Sequence, residues 1–228
     1  MKSTLITSSD SPKILFLDNH LIAVYKPAGI LTQADSSESN SLIDEVKSWI
    51  KTEFKKPGNV FLGLVHRLDR NVSGVVLFAR TSKAASRLSK QFREKTTKKI
   101  YHAIVEGKPE PLQARLSHYL RKEKSLKSTV FKRPGQNTQN AELEYKIMES
   151  YSSSSFLEIK LHTGRFHQIR AQMAFIGHPI MGDKKYGASN LLANREIALY
   201  AHCLVFEHPI TKEEISIESP TPSYWPKS

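Results

Sequence analysis

A short polar segment between two apolar runs carries residues that could do covalent chemistry. It contains one carboxylate, Asp69, close to the cations Arg67 and Arg70, and the apolar runs 61–65 and 75–79 flank it. Both runs have the length and composition of buried strands, so the polar segment is predicted to be the loop that joins them. Cations on both sides favour the charged form of the aspartate, which predicts a nucleophile rather than a proton donor at neutral pH. A loop aspartate in a structural ion pair is the alternative interpretation.

A second cationic stretch lies where a predicted strand gives way to a helix. The strand 156–161 ends, Gly164 turns the chain, and a helix follows that runs to about residue 176. Polar side chains therefore gather at a helix N-terminus, which is a favourable position for an anion. They are Arg165, His167, Gln168 and Arg170. Two interpretations of Arg170 stay open, since it could orient this segment or contact phosphate.

The charge of the whole chain indicates a polyanionic partner. The 228 residues contain 34 Lys and Arg against 22 Asp and Glu, which gives a formal charge of +12 and a pI near 9.7. Nucleic acid is the first partner that such a charge favours and an anionic membrane the second, while a charge that only maintains solubility is the alternative.

Cysteine content and hydropathy restrict the compartment. A single cysteine, Cys203, excludes an internal disulfide and a cysteine-built metal site. The sequence has no signal-peptide core and no apolar run approaching the roughly 18 residues of a membrane helix. We therefore expect a cytoplasmic protein that does not enter a membrane.

Hydrophobic periodicity predicts a strand-rich α+β fold. Apolar residues at helical spacing indicate helices over 41–54 and 82–94. Short β-branched and aromatic runs indicate further strands over 13–17, 21–25, 100–105, 141–148, 156–161, 198–206 and 214–217.

No repeat or break in composition marks a second domain. We expect a mobile N-terminal tail over 1–12, a single catalytic domain over 13–218 and an irregular C-terminal tail over 219–228.

The region from 93 to 133 is strongly basic and contains a predicted hairpin. The hairpin strands are 115–120 and 129–132, and between Arg121 and Arg133 there are six Lys or Arg and one acid, Glu123. Such an arm would grip phosphates without reading base sequence. A sheet edge protected by lysines is the alternative. The candidate contacts to a polyanion are Arg67, Lys98, Lys99, Arg121, Lys122, Lys124, Lys127 and Arg170.

Several common reactions lack their sequence signals. The chain has no phosphate-binding glycine loop, no histidine pair at metalloprotease spacing and no nucleophile-elbow serine. We interpret His66, His167 and His178 as hydrogen-bonding loop or core residues. What remains favours covalent or electrostatic chemistry on a nucleic acid, with neither a metal nor an organic cofactor.

Three motifs together resemble those of the RluA-type pseudouridine synthases. They are His66-Arg67-Leu68-Asp69 with Ser73-Gly74, Tyr101-x-Ala-x-Val-x-Gly107, and Gly164-Arg165-x-His167-Gln168-Ile169-Arg170. Lys26-Pro27-Ala28-Gly29 and Gly177-His178-Pro179 add to the match, which extends over roughly residues 14 to 210. The resemblance implies a pseudouridine-synthase-like catalytic domain with a mixed, mostly antiparallel sheet flanked by helices and loops.

The resemblance also implies an activity, namely the isomerisation of uridine to pseudouridine in structured RNA, either ribosomal or transfer RNA. Asp69 matches the essential aspartate, and Tyr101 matches the tyrosine that packs against uracil and assists removal of the last proton. Arg165 matches the basic residue that pairs with the aspartate, and Arg67 matches the arginine that fills the space left by the flipped nucleotide. The family needs no cofactor or metal, and we expect a monomer.

The sequence departs from the family pattern at two positions near the expected site. Val72 and Phe166 stand where threonine is common. Many relatives also carry an S4-type RNA-binding domain before the catalytic one; with about a dozen residues before the first predicted strand, we expect no such domain here. An RNA-binding or RNA-remodelling protein that does not need Asp69 is the alternative function.

Overall fold

The strands predicted from the apolar runs join into one large sheet. The computed structural model describes residues 11–34, 41–192 and 196–225. The strands are β1 (Ile14–Leu17), β2 (Leu21–Lys26), β3 (Gly63–Leu64), β4 (Ser73–Ala79), β5 (Lys98–Glu106), β6 (Gln113–Lys122), β7 (Ser128–Phe131), β8 (Gln139–Ser150), β9 (Ser154–Leu161), β10 (Leu199–Glu207) and β11 (Glu214–Glu218). The helices are α1 (Leu42–Glu53), α2 (Ser82–Glu94) and α3 (Gln168–Phe175), and a 3-10 turn spans Lys184–Tyr186.

The sheet is mixed and mostly antiparallel. Its strand order is β1-β2-β4-β10-β5-β9-β8-β6-β7, with β3 paired to β4 and β11 paired to β10. Within the described part of the chain, the pairing of β4 with β10 is the one parallel ladder. The α+β class and the mostly antiparallel sheet predicted from the sequence are confirmed.

Strand β4 is buried on both faces and divides the core into two layers. Val76 and Phe78 belong to the layer that also contains the buried face of α1. Val75 and Leu77 belong to the other layer, which contains Leu88 of α2. A strand covered on both faces loses polar alternation, which explains why this segment reads as a continuous apolar run.

The strand expected over 61–65 is shorter than predicted. Only Gly63 and Leu64 pair with β4, and the next position of the ladder is taken by a side chain, because the Leu77 N–H donates to His66 Nε2 at 2.9 Å. His66 also stacks on Phe92 of α2, with ring centroids 4.9 Å apart. The interpretation of His66 as a hydrogen-bonding core residue agrees with this position.

The basic hairpin is present and is continuous with the sheet. Strand β6 pairs with β7 on one side and with β8 on the other. The base of the hairpin is therefore held by a long ladder, and its tip lies between Lys122 and Ser128.

The C-terminal segment lacks regular structure but packs against the sheet. Residues 219–225 form no helix or strand, yet the Tyr224 hydroxyl lies 2.8 Å from Ser73 Oγ. Trp225 meets the Tyr200 ring edge-on at 4.8 Å. Residues 1–10 and 226–228 lie outside the described residues, so the predicted tails are described only in part. Among the described helices, none is long and apolar enough to cross a membrane.

Gly74 provides a test of the β4–β10 pairing. Its φ is 120°, and a Cβ there would lie 2.2 Å from the carbonyl oxygen of Ala201. We expect Gly74→Ala to lower the free energy of unfolding by about 2–4 kcal/mol, because both backbone strain and overpacking oppose it. Urea unfolding followed by circular dichroism would measure this loss. Gly58→Ala is the matched control, since a Cβ at Gly58 meets nothing within 4 Å, and equal stability of the two variants would contradict the expectation.

Candidate active site

Asp69 lies in the loop that leads from β3 into β4. The loop turns where the Val72 N–H donates to the Asp69 carbonyl at 3.1 Å, and buried Leu68 anchors it in the core. The Asp69 side chain is 24% exposed, so it is accessible from one side.

Two connected spaces meet at Asp69. A small inner cavity of about 80 Å³ is lined by Asp69, Tyr101 and Arg165, with apolar walls that include Leu161 and Leu199. A larger cleft of about 520 Å³, called the outer cleft below, adjoins it. The residues common to both linings are Arg67, Leu68, Asp69, His167 and Arg170. The sequence placed Asp69, Tyr101, Arg165 and Arg67 in one site, and the structure brings all four together.

Side chains on both sides of Asp69 hold the backbone of its loop. Thr32 Oγ1 donates to the Leu68 carbonyl at 3.1 Å and accepts from the Leu68 N–H at 3.2 Å. Fully buried Lys26 donates to the carbonyls of Pro27, Ile30 and Arg70 at 2.8–3.0 Å. The loop is therefore clamped immediately before and after the carboxylate. Sequence analysis used the Lys26 segment only as a family motif and did not find this contact, because it depends on long-range packing.

The ion-pair partner of Asp69 is Arg170. Arg170 Nη1 lies 3.4 Å from Asp69 Oδ2, while its Nε and Nη2 bind Asp183 at 2.6 and 2.8 Å. Arg165 instead donates from Nε to the Asn140 carbonyl at 2.9 Å. The expectation that Arg165 pairs with the aspartate is therefore wrong. The helical turn from Arg165 to Arg170 directs the second guanidinium, and not the first, into the space between the two carboxylates.

Burial has the largest effect on the ionisation of Asp69. It raises the pKa of the carboxyl above its ordinary value near 3.8, and the charges of Arg170 and Lys26 act in the opposite direction. Burial likewise lowers the pKa of Lys26 to about 7, although the charge of Asp69 acts to raise it. The sequence analysis considered only the cations that favour the charged form, and burial acts against them.

Tyr101 extends from β5 into the inner cavity. It is in register with Ile159 of β9 and Ala201 of β10, so the sheet fixes its position. Burial, and secondarily the charge of Asp69, raise the pKa of the Tyr101 phenol. The phenol therefore stays protonated at neutral pH and presents an O–H and an aromatic face next to the carboxylate.

His167 connects the aspartate to Tyr186. Its Nε2 lies 3.7 Å from Asp69 Oδ2, and its Nδ1 lies 3.0 Å from the Tyr186 hydroxyl. Burial and the nearby charge of Arg170 lower the pKa of His167 to about 3. The imidazole is consequently neutral, and its contact with Asp69 is not an ion pair.

Tyr186 joins the basic hairpin to this group. Its hydroxyl accepts from the Ser128 N–H at 2.8 Å, and the Arg170 guanidinium lies over its ring at 5.2 Å. The Ser128 hydroxyl also donates to the Phe166 carbonyl. Sequence analysis missed Tyr186 and Asp183 as supporting residues, although the motif Gly182-Asp183 with Tyr186-Gly187 was a signal for them.

Gln168 holds the turn that carries Arg165. Its Oε1 accepts from Thr163 Oγ1 at 2.6 Å and from the Arg165 N–H at 3.0 Å. Its Nε2 donates to the Glu142 carbonyl and to Gln172. This buried amide is fully used inside the fold, so it positions the segment and is not available to an external anion.

The outer cleft is cationic. Its lining contains five Lys or Arg side chains and one acid, Asp69. The cations are Arg67, Arg70, Lys122, Arg170 and Lys185. Phe166 also lines this cleft and Val72 lines the inner cavity, so both departures from the family pattern face the site.

Four of the other predicted cations lie on the basic hairpin, and two lie on β5. Lys122 lies over the Phe166 ring at 4.7 Å, and Lys127 lies 6.0 Å from the Tyr186 ring centroid. Lys124 is at the hairpin tip, and Arg121 pairs with Glu123 at 2.9 Å on the same hairpin. Burial, together with the charges of Lys95 and Arg165, lowers the pKa of Lys99 to about 8.

Lys98 lies in a different groove. This groove runs between α2 and the β10–β11 hairpin, and Lys98 Nζ lies 3.4 Å from Glu214 Oε2 within it. Neighbouring strand residues point to opposite faces, which separates Lys98 from Lys99. No group of three or more His, Cys, Asp or Glu that could hold a metal ion occurs among residues 11–34, 41–192 and 196–225.

Arg170 and Arg165 should differ strongly in their contribution to the free energy of unfolding. Arg170→Met would leave the buried Asp183 and the nearby Asp69 without their shared cation, so we expect the free energy of unfolding to fall by about 3–5 kcal/mol. Arg165→Met removes one hydrogen bond to a carbonyl and should cost about 1 kcal/mol. Urea titrations at pH 7 would measure both values. A larger loss for Arg165→Met would contradict the assignment of Arg170 as the structural partner of Asp69.

The sequence is similar to those of known RNA-modifying proteins. The sequence model of the family described as RNA pseudouridylate synthase matches residues 20–175. The uncharacterized RNA pseudouridine synthase YhcT of Bacillus subtilis (strain 168) is 35% identical over 226 residues, which cover 97% of this chain and 72% of the relative. Ribosomal large subunit pseudouridine synthase C of Rickettsia bellii is 30% identical over 224 residues, with coverage of 97% and 72%.

Solved structures agree with the sequence comparison. The structure of human RNA Pseudouridylate Synthase Domain Containing 4 matches with a TM-score of 0.80 at 25% identity, over 93% of this chain and 90% of that one. The family match spans more than half of the 228 residues and contains Asp69, Tyr101, Arg165 and Arg170. The chain therefore belongs to the RNA pseudouridylate synthase family, with motifs of the RluA type, and is an isomerase that acts on RNA.

Proposed function

We propose that this isomerase converts specific uridines of structured RNA into pseudouridine, with Asp69 as the nucleophile that acts on a flipped-out nucleotide. Ribosomal RNA is the substrate class we favour over transfer RNA, because relatives named as large-subunit ribosomal synthases are about 30% identical to this chain. Such a substrate places the work of the enzyme in the cytoplasm. The observation that carries the proposal is a desolvated carboxylate at the junction of a small cavity and a cationic cleft.

The geometry suits a base that leaves its helix. A stacked uridine cannot present its glycosidic bond to a carboxylate in a loop, so it must be extruded at a cost of a few kcal/mol. The cations of the outer cleft can offset this cost through phosphate contacts. Arg67 lines both spaces and is positioned to occupy the gap that the nucleotide leaves.

The reaction requires a nucleophile, a binding face for the ring and a route for one proton. The bond between N1 of uracil and C1′ of ribose breaks, the ring rotates, and a bond from C5 to C1′ forms while C5 loses its proton and N1 gains one. Asp69 attacks either C1′ of the ribose, as the bond to N1 breaks, or the uracil ring. In the first case C5 displaces the Asp69 oxygen from C1′, and in the second the ring expels it after the bond from C5 to C1′ has formed, so the carboxylate is regenerated. The poor solvation of this carboxylate favours either attack. Tyr101 offers an aromatic face for the detached ring, for which stacking is worth about 1–3 kcal/mol.

Each supporting residue has a physical role in this proposal. Arg170 and Lys26 stabilise the charged form of Asp69 against the effect of burial. Arg165 lines the inner cavity, where its guanidinium can contact the uracil or its phosphate. All of these residues come from one chain, which is compatible with the predicted monomer.

Asp69→Asn separates catalysis from RNA binding. We expect the variant to form no pseudouridine while its affinity for RNA changes less than threefold, because phosphate contacts supply most of the affinity. Chromatographic separation of the nucleosides from digested ribosomal RNA transcripts would measure product, because uridine and pseudouridine have the same mass, and filter binding would measure affinity. Product formation by the variant at the wild-type rate would refute Asp69 as the nucleophile, whereas RNA binding without product from the wild type itself would support the RNA-binding or RNA-remodelling alternative.

The same variant should not lose stability at pH 7. A carboxyl whose pKa is raised by folding binds its proton more tightly in the folded state, so the free energy of unfolding falls as pH rises from about 4 through the folded pKa. The asparagine does not ionise and avoids this loss. We expect Asp69→Asn to be at least as stable as the wild type at neutral pH in urea unfolding, with the difference vanishing in acid.

The hairpin cations should contribute to RNA affinity more than the paired Lys98. We expect Lys127→Gln to reduce the slope of log K against log salt by about 0.7–0.9, the value for one phosphate contact. Lys98→Gln is the matched comparison, because its charge is already paired with Glu214. Equal slopes for Lys127→Gln and the wild type would remove Lys127 from the proposed interface.

A further inference from the structure

An exposed leucine stands at the tip of the basic hairpin and faces the outer cleft. Leu126 is 55% exposed, although most large apolar side chains of the described residues are buried. It lines the same cleft as Asp69, Arg67 and Phe166. A single exposed leucine on a surface needs no explanation, but this one lies at the entrance to the active site.

The backbone at Leu126 is unfavourable for leucine. The Glu123 carbonyl accepts from the Leu126 N–H at 3.1 Å, and the Glu123 N–H donates to the Lys127 carbonyl at 2.8 Å. These bonds form a tight turn whose last residue, Leu126, has a φ of 55°. Glycine and asparagine are the residues that this left-handed conformation favours. The hairpin thus presents a bulky apolar side chain at a position where the turn alone would select glycine.

Contacts at the base of the basic hairpin fix the position of the tip that carries Leu126. Ser128 is fixed by its contacts to Tyr186 and to the Phe166 carbonyl. Lys122 and Lys127 lie over the rings of Phe166 and Tyr186. Cations close to the tip favour the approach of phosphates, so an RNA strand drawn to them would bring its bases to Leu126.

We propose that Leu126 is a wedge that enters the RNA base stack beside the target uridine and promotes its extrusion into the cleft. This inference rests on the proposed function. Apolar side chains inserted between base steps unstack them in other nucleic-acid-binding proteins. Arg67 lines the inner cavity as well as the cleft, whereas Leu126 lines only the cleft. Leu126 would therefore act from outside, on the stacked neighbour of the uridine, and would help to determine which structured sites the enzyme can open.

Leu126→Gly tests this role because the change relieves the backbone while it removes the wedge. We expect stability in urea to be equal or higher. We expect kcat/KM to fall at least tenfold on a synthetic RNA stem-loop that carries the target uridine in a stacked stem. The same uridine in an unstructured oligonucleotide of the same length should show a change of less than threefold. Asn137→Gly is the matched control, since Asn137 is exposed, has a φ of 58° and carries no charge.

A fluorescence assay separates opening from catalysis. The RNA stem-loop carries 2-aminopurine next to the target uridine. All proteins in this assay carry Asp69→Asn so that no turnover occurs. We expect binding to raise the fluorescence, and we expect Leu126→Gly at saturating concentration to give less than a third of that rise, with Asn137→Gly unchanged. If Leu126→Gly and its parent gave equal fluorescence and equal kcat/KM, the proposed role of Leu126 would be refuted while the proposed function would stand. Absence of pseudouridine from every RNA treated with wild-type enzyme would instead refute the proposed function, and the wedge with it.

Discussion

The active site depends on one guanidinium shared between two carboxylates. Arg170 binds Asp183 through two short hydrogen bonds and reaches Asp69 with its third nitrogen. A buried ion pair of this kind recovers its desolvation cost only when its geometry is good and its remaining groups are bonded. Asp183 satisfies two of the guanidinium nitrogens, which fixes the direction of the one that faces Asp69. The position of the Asp69 carboxylate therefore depends on an ion pair between Arg170 and Asp183.

Burial and charge act against each other at this site, and burial has the larger effect on both partners. It raises the pKa of Asp69 and lowers that of Lys26, while the two charges partly compensate one another. Water would solvate the carboxylate better, which would weaken it in the nucleophilic role that we propose for Asp69. The clamps at Leu68 and Arg70 keep this poorly solvated group from turning toward bulk solvent. A loop that is held on both sides of Asp69 therefore keeps the carboxylate in a poorly solvated position.

A series of side-chain contacts connects the basic hairpin to Asp69. The chain of contacts runs from Ser128 through the Tyr186 hydroxyl to His167, whose other nitrogen faces Asp69. Because the imidazole is neutral, this path transmits position and not charge. In the function we propose, RNA bound by the hairpin could therefore affect the position of Asp69. The ring of Tyr186 beneath Arg170 connects the same path to the shared guanidinium.

The sequence by itself determined most of the elements and indicated four residues that line the same cavity, Arg67, Asp69, Tyr101 and Arg165. The limits of α2, the β10–β11 pair and the continuous apolar run of β4 follow from periodicity, which is a local property. The motifs around Asp69, Tyr101 and Arg165 were sufficient to indicate the family. Only the tertiary structure decided that Arg170 and not Arg165 contacts the aspartate, that Lys26 is buried beneath its loop, and that Lys98 faces away from the cleft. These contacts join residues distant in the sequence or depend on which face of a turn or strand is buried, and desolvation exists only after the sheet and helices have packed.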